Sequence, residues 1–260
     1  MKFFNKAQLL TIMMFSIVVL TGCGSGSSGG EENIDTVFND AETDTSTETD
    51  TEQETPSDTV DNSVFEARFS VRFVGSWSAE THPINFPPNP HFSRLTGAVH
   101  SEQVVFWQSG QNASEGVELM AETGNPDLLL PEIQSAIDQG YALSAVEGGG
   151  IPTSPGDTTV EFTANRDYPL LTLVSMLAPS PDWFIGINSL PLLDNNGEFV
   201  ESMTIELNLY DAGTDGGLRY TSADEDIPLS PVALVNSFPL DSDFLEGQPS
   251  VGMLQVTRLP

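Results

Sequence analysis

The chain has 260 residues, 38 of them Asp or Glu against 8 Lys or Arg, a formal charge of −30 at pH 7. Phosphate binding needs clustered cations, so this balance excludes nucleic acid as a partner and argues against docking on anionic lipid headgroups. The same charge favours solubility and attracts divalent cations, although adaptation to a salty habitat would leave the same composition.

The chain starts like an exported protein. Lys2 and Lys6 precede an apolar run from Leu9 to Leu20, shorter than the roughly 20 residues that cross a bilayer as a helix. It ends in Leu20-Thr21-Gly22-Cys23, small residues of the kind that mark a secretory cleavage point. A cysteine at that place resembles the lipobox of bacterial lipoproteins, with residues 1–22 as signal peptide and Cys23 diacylated as the new N-terminus. The alternative is an ordinary signal or membrane segment with an incidental cysteine. By the same resemblance, Gly24 and Ser25 lack the aspartate that retains lipoproteins on the inner membrane, so the expectation is an outer-membrane anchor, facing the periplasm or the surface. Cys23 is the only cysteine, so stability must come from a core, with or without a metal. Residues 23–62 are Gly/Ser-rich, then rich in Glu, Asp and Thr. Such a stretch buries too little to order itself and repels itself, and reads as a disordered tether.

A domain over residues 63–260 follows. Phe65 to Val74 alternates apolar and polar, the pattern of a half-buried strand. His82 to Pro90 is too proline-rich for regular structure. Val104 to Trp107 reads as a second strand. Between Ser114 and Gln139 the spacing of Leu128, Leu129, Ile133 and Ile137 is helical, and Pro126-Asp127 suits a helix start. Thr158 to Ala164 reads as a strand. Leu170 to Leu177 is an apolar run between Pro169 and Pro179, as in a strand buried on both faces. Phe184 to Ile187 is a further strand, and Asp194-Asn195-Asn196-Gly197 a turn. Ser202 to Leu209 and Val251 to Arg258 alternate again. Seven or eight short strands between Pro/Gly turns predict an all-β fold, an antiparallel β-sandwich, with the helical stretch as an excursion rather than a layer.

Several stretches resemble the spondin N-terminal domain, the module of F-spondin and mindin. They are Gly75-Ser76-Trp77-Ser78, His91 to Ser101, Ala113 to Val117 with Ala121-Glu122, Pro179-Ser180-Pro181-Asp182-Trp183 continuing to Leu190, and Tyr210-Asp211-Ala212-Gly213-Thr214-Asp215-Gly216-Gly217. The likeness spans residues 64 to 258. It implies a sandwich resembling C-two domains, a calcium ion held by acidic residues at one end, and an extracellular matrix or cell-adhesion role. Leu193 stands where animal members carry a cysteine. The chain has neither thrombospondin repeats nor a reelin-like domain, which sets animal-type partnerships in question but not the fold.

Two acidic loops carry the candidate chemistry. Asp182 lies in a loop between strands, and Asp211 and Asp215 flank Ala-Gly-Thr at a strand end. Calcium takes about 6–8 oxygen ligands from carboxylates, carbonyls and water, which two such loops can offer; turn-forming hydrogen bonds are the plainer role for these aspartates. By resemblance the metal ligands are Asp182, Asp211 and Glu161, with Asp215 assigned to the turn. His82, His91 and His100 lack the close spacing of zinc sites, and His100 next to Ser101 suits a structural hydrogen bond. The tryptophans Trp77, Trp107 and Trp183 suit a core better than a sugar-stacking surface. Residues 63–260 carry no nucleophile elbow, zinc-protease motif or phosphate loop. The expectation is a calcium-binding, non-enzymatic module that contacts an extracellular glycan, matrix component or surface protein. The alternatives are a metal-assisted hydrolase of envelope or extracellular polymers and a purely structural envelope lipoprotein.

Overall fold

The computed structural model describes residues 65–234, 242–244 and 248–260. The expected signal peptide (1–22), the expected lipidation site Cys23 and the expected tether (23–62) lie outside the described residues.

Two antiparallel sheets face one another. β1 (Glu66–Gly75) sits inside the smaller one, between β5 (Gly156–Asn165) and β11 (Gly252–Arg258), with β8 (Ser202–Glu206) beyond β11. Strand alternation decides which residues face in: Ala67, Phe69, Val71 and Phe73 of β1 are buried, while Arg68 and Arg72 point outward. Outside, Arg68 meets Glu161 at 2.9 Å and Arg72 meets Asp157 at 3.1 Å across the β1–β5 pair.

The larger sheet runs β10 (Ala233–Leu234), β9 (Leu209–Asp211), β7 (Trp183–Pro191), β6 (Leu170–Ala178), β3 (Thr96–His100), β4 (Ala142–Glu147), with β2 (His91–Phe92) also on β6. β6 is buried on both faces, and the two faces serve different cores. Leu171, Leu173 and Leu177 enter the core between the sheets with Phe69, Trp77 and Trp183. Val174, Met176 and Ala178 enter a second core beneath two helices, α1 (Glu115–Thr123) and α2 (Leu129–Asp138). A fully buried Leu or Phe contributes about 1.5–3 kcal/mol, so the second core is a major part of the stability.

The helical stretch is thus a minor addition to an all-β sandwich, as expected, and it packs as a cover over one sheet face. Val117, Met120 and Ala121 of α1, with Leu129, Ile133 and Ala136 of α2, cover one face of the larger sheet. Each helix needs the other. Ser114 caps α1 through Val117 N at 3.2 Å. Glu132 of α2 accepts from Gly116 N at 2.8 Å and from the Ser114 hydroxyl at 2.7 Å, satisfying donors that a helix start leaves open.

Two expected strands differ. Val104–Trp107 is a loop; its apolar character serves Phe106 and Trp107, which drop into the helix-side core, while Val105 stays exposed. Ser202–Leu209 is not one strand. β8 pairs with β11 in the smaller sheet, the chain then crosses, and β9 pairs with β7 in the larger one. Strand β3 and strand β4 were not among the expected strands. The Asp194 turn stands as expected, its carboxylate accepting from Asn196 N and Glu198 N. Phe199 beyond it lies between the guanidinium groups of Arg166 and Arg258, at 5.9 and 5.7 Å from the ring centre.

Candidate metal centre

Asp182 and Asp211 come together because of strand register. Trp183 and Asp211 are cross-strand partners at the start of β7 and the end of β9, and Ala212 N donates to the Asp182 carbonyl at 3.2 Å. The β6–β7 loop is braced by Ser180, whose hydroxyl accepts from Trp183 N. Gly213 holds a left-handed φ of 75°, and a side chain there would collide with the carbonyl of Ser230. That tight turn carries Thr214 and Asp215 over the Asp182 carboxylate.

Asp182 is fully buried. Its Oδ2 accepts from Thr214 N at 2.8 Å, from the Thr214 hydroxyl at 3.2 Å and from Asp215 N at 3.2 Å. Its Oδ1 has no partner. Asp211 Oδ1 accepts from Gly213 N at 2.8 Å. Asp215 does hold the turn, through Gly217 N at 2.6 Å and Glu225 N at 3.2 Å. Glu122, near the end of α1, hydrogen-bonds the Thr214 side chain and feels the charges of Asp182 and Asp215, and its Oε1 is buried without a partner.

Four carboxylates thus share one end of the molecule. Burial raises the Asp182 carboxyl above the ordinary carboxylate range, opposed by its three hydrogen bonds. Burial and then the Asp182 charge push Asp211 up to about 7. Burial also raises Glu122. The six arginines among the described residues are all paired elsewhere, with Glu161, Asp157, Glu147, Glu198, Asp243 and Glu201. The contrast with Asp243 is direct. That buried carboxylate is matched by Arg219 at 2.9 Å, Asn85 at 2.7 Å and Tyr220 N at 3.0 Å.

Hard oxygen donors without histidine or thiolate suit calcium or magnesium rather than zinc, and the orphaned Asp182 Oδ1 is a donor with nothing to bind. The chemistry of the donor set fits the ion. Among the described residues no three His, Cys, Asp or Glu side chains stand grouped to hold a metal. Closing on an ion therefore needs a side-chain movement, for which half-buried Asp211 and Glu122 have room.

Glu161 is not brought to this cluster. Phe162 and Ala164 of β5 turn inward, so strand parity sends Glu161 to the outer face of the smaller sheet, where it pairs with Arg68. Glu122, by contrast, belongs to the Ala121-Glu122 pair of the family resemblance, for which no metal role is expected. The histidines take no part. His100 is buried between the Ser101 carbonyl and the Thr172 hydroxyl, both at 2.8 Å, and His82 between Thr81 and the Pro249 carbonyl. Trp77, Trp107 and Trp183 are all buried.

Two antiparallel sheets packed as a sandwich, with acidic loops at one end and helices over one sheet, define a mostly β module. The chain belongs to the spondin N-terminal family, Spondin_N, which it matches over residues 67–243. It is 32% identical over 199 residues to human Spondin-2, covering 72% of this chain and 60% of that protein. It is 34% identical over 155 residues to chicken Spondin-1, covering 58% of this chain and 19% of that protein. Rat Spondin-2 is 34% identical over 154 residues, 58% of this chain and 46% of that protein. The chain thus matches part of the length of these relatives.

Proposed function

We propose that this chain is a lipid-anchored, extracytoplasmic binding module of spondin type whose loop end is organised by calcium. The observation that carries the reading is the fully buried Asp182, with an unpartnered oxygen, among Asp211, Asp215 and Glu122, while the arginines of the described residues pair elsewhere. An ionised carboxylate in such a place costs several kcal/mol unless it is compensated. A divalent cation compensates more than one at a time. Bound there, calcium supplies charge neutralisation. Asp182 and Asp211 would hold it, with Asp215 keeping the turn in shape. Cys23 would fix the module to the outer membrane, with residues 23–62 as spacer and 63–260 as the domain. The family resemblance supports an extracellular glycan, matrix component or surface protein as ligand, and a binding rather than catalytic role.

Thermal unfolding of the full chain with and without calcium tests the metal. Calcium at about a hundredfold over its Kd stabilises by about 2.7 kcal/mol, or roughly 5–10 °C at this size. Asp182→Ala with Asp211→Ala should abolish the rise, and the Asn pair guards against simple misfolding. No calcium effect on the wild type would remove the metal from the account. For the anchor, Cys23→Ser should move the protein from the membrane fraction to the soluble one; unchanged fractionation would remove the lipid.

A further inference from the structure

Thr214 has one hydroxyl proton and two carboxylates to share it. Its hydroxyl lies 3.2 Å from Asp182 Oδ2 and also bonds Glu122. A hydroxyl donates once, so whichever carboxylate is not served faces the other's charge. Each keeps one oxygen buried without a partner, Asp182 Oδ1 and Glu122 Oε1. The two come from different layers: Asp182 from the β6–β7 loop and Glu122 from the helical layer. Glu122 also lines an open cleft of about 320 Å³, together with Glu115, Glu118, Leu119 and Leu128.

We infer that Glu122 is a further cation ligand, and that the ion it shares with Asp182 and Asp211 ties α1 to the loop end of the sandwich. This rests on the calcium reading above and extends it to the helical layer. Without the ion, Glu122 and Asp182 repel across Thr214, and α1 is held by its apolar face and by the Glu132 bonds at its start. With the ion, both orphaned oxygens gain a partner, and the last turn of α1 becomes fixed to the Asp211–Asp215 turn. Binding and ordering of the helix are then one event.

Calcium titration of the full chain by calorimetry, with amide hydrogen exchange followed in parallel, tests this on wild type, Glu122→Gln and Glu102→Gln, the last an exposed acid on a distant loop. Glu122→Gln keeps the shape and the Thr214 bond, so folding is retained. It should weaken calcium binding about tenfold, and it should lose the calcium-dependent slowing of exchange across 115–123 that the wild type shows. Glu102→Gln should behave as wild type. Calcium binding by Glu122→Gln with wild-type affinity and wild-type protection of 115–123 overturns the role of Glu122 while leaving the Asp182–Asp211 site standing. No binding by the wild type overturns both.

Discussion

Replacing Asp182 with asparagine removes a charge while keeping an acceptor for Thr214 N and Asp215 N, and it places an amide donor where the orphaned Oδ1 stood. The consequence is electrostatic and depends on pH. A carboxyl whose pKa is higher in the folded than in the unfolded protein contributes in full below its unfolded value and loses that contribution as pH rises through the folded one. Asp211, pushed from 3.8 up to about 7, is such a group. On its own it lowers stability by about 2 kcal/mol between about pH 5.5 and 8 in calcium-free buffer. Burial is the first cause of the rise and the Asp182 charge the second, so removing that charge removes only part of the loss. The stability difference between wild type and Asp182→Asn should therefore move by roughly 1 kcal/mol across that window, in favour of the variant at high pH. For a domain of this size that is roughly 2–4 °C in Tm. Differential scanning calorimetry in chelator at both pH values reads it, and effects common to both proteins cancel. Saturating calcium should reverse the order at pH 8. A variant equally destabilised at both pH values, with calcium inert on both proteins, would refute the reasoning.

Glu161→Gln should change stability by no more than about 1 kcal/mol, since it pairs with Arg68 in the open, and should leave the calcium-induced rise in Tm intact. Glu132→Ala withdraws the acceptor of Gly116 N and of the Ser114 hydroxyl; a cost of about 1–2 kcal/mol, read by urea denaturation, is expected, with α1 the first segment to exchange. Burial lowers the pKa of both His82 and His100. The stability they confer is thus present above about pH 6.5, the ordinary value, and lost as pH falls. In the Asp182→Asn background Tm should fall below that pH, and the fall should shrink in His100→Gln.

Strands whose side chains alternate between one core and solvent were legible from sequence, as Phe69, Val71 and Phe73 in β1 and Leu254 and Val256 in β11 illustrate. So was β6, where an unbroken apolar run meant burial on both faces. The same rule misled at Phe106-Trp107, because an apolar dipeptide anchoring a loop has the composition of a short strand. It misled again at Leu207–Leu209, because alternation continues across a crossover and does not reveal which sheet a residue joins. That the helices cover β6 was not legible, because α1 shows its apolar face only once β6 is known to need a cover. Asp182 and Asp211 were reachable from their motifs. Glu161 was misplaced although its own neighbours, Phe162 and Ala164, already mark the inward parity of β5. Glu122 had no local signal: its role depends on the distance between a helix end and a turn some 90 residues later in the sequence.

The central claim is that an ion belongs at the unpartnered oxygen of Asp182. A crystal structure grown in calcium, with anomalous difference maps, addresses it directly. The account predicts one peak within about 2.3–2.6 Å of Asp182 Oδ1 and an Asp211 oxygen. A map with no peak there, and Asp182 still carrying a bare buried oxygen or a bound water, would contradict it.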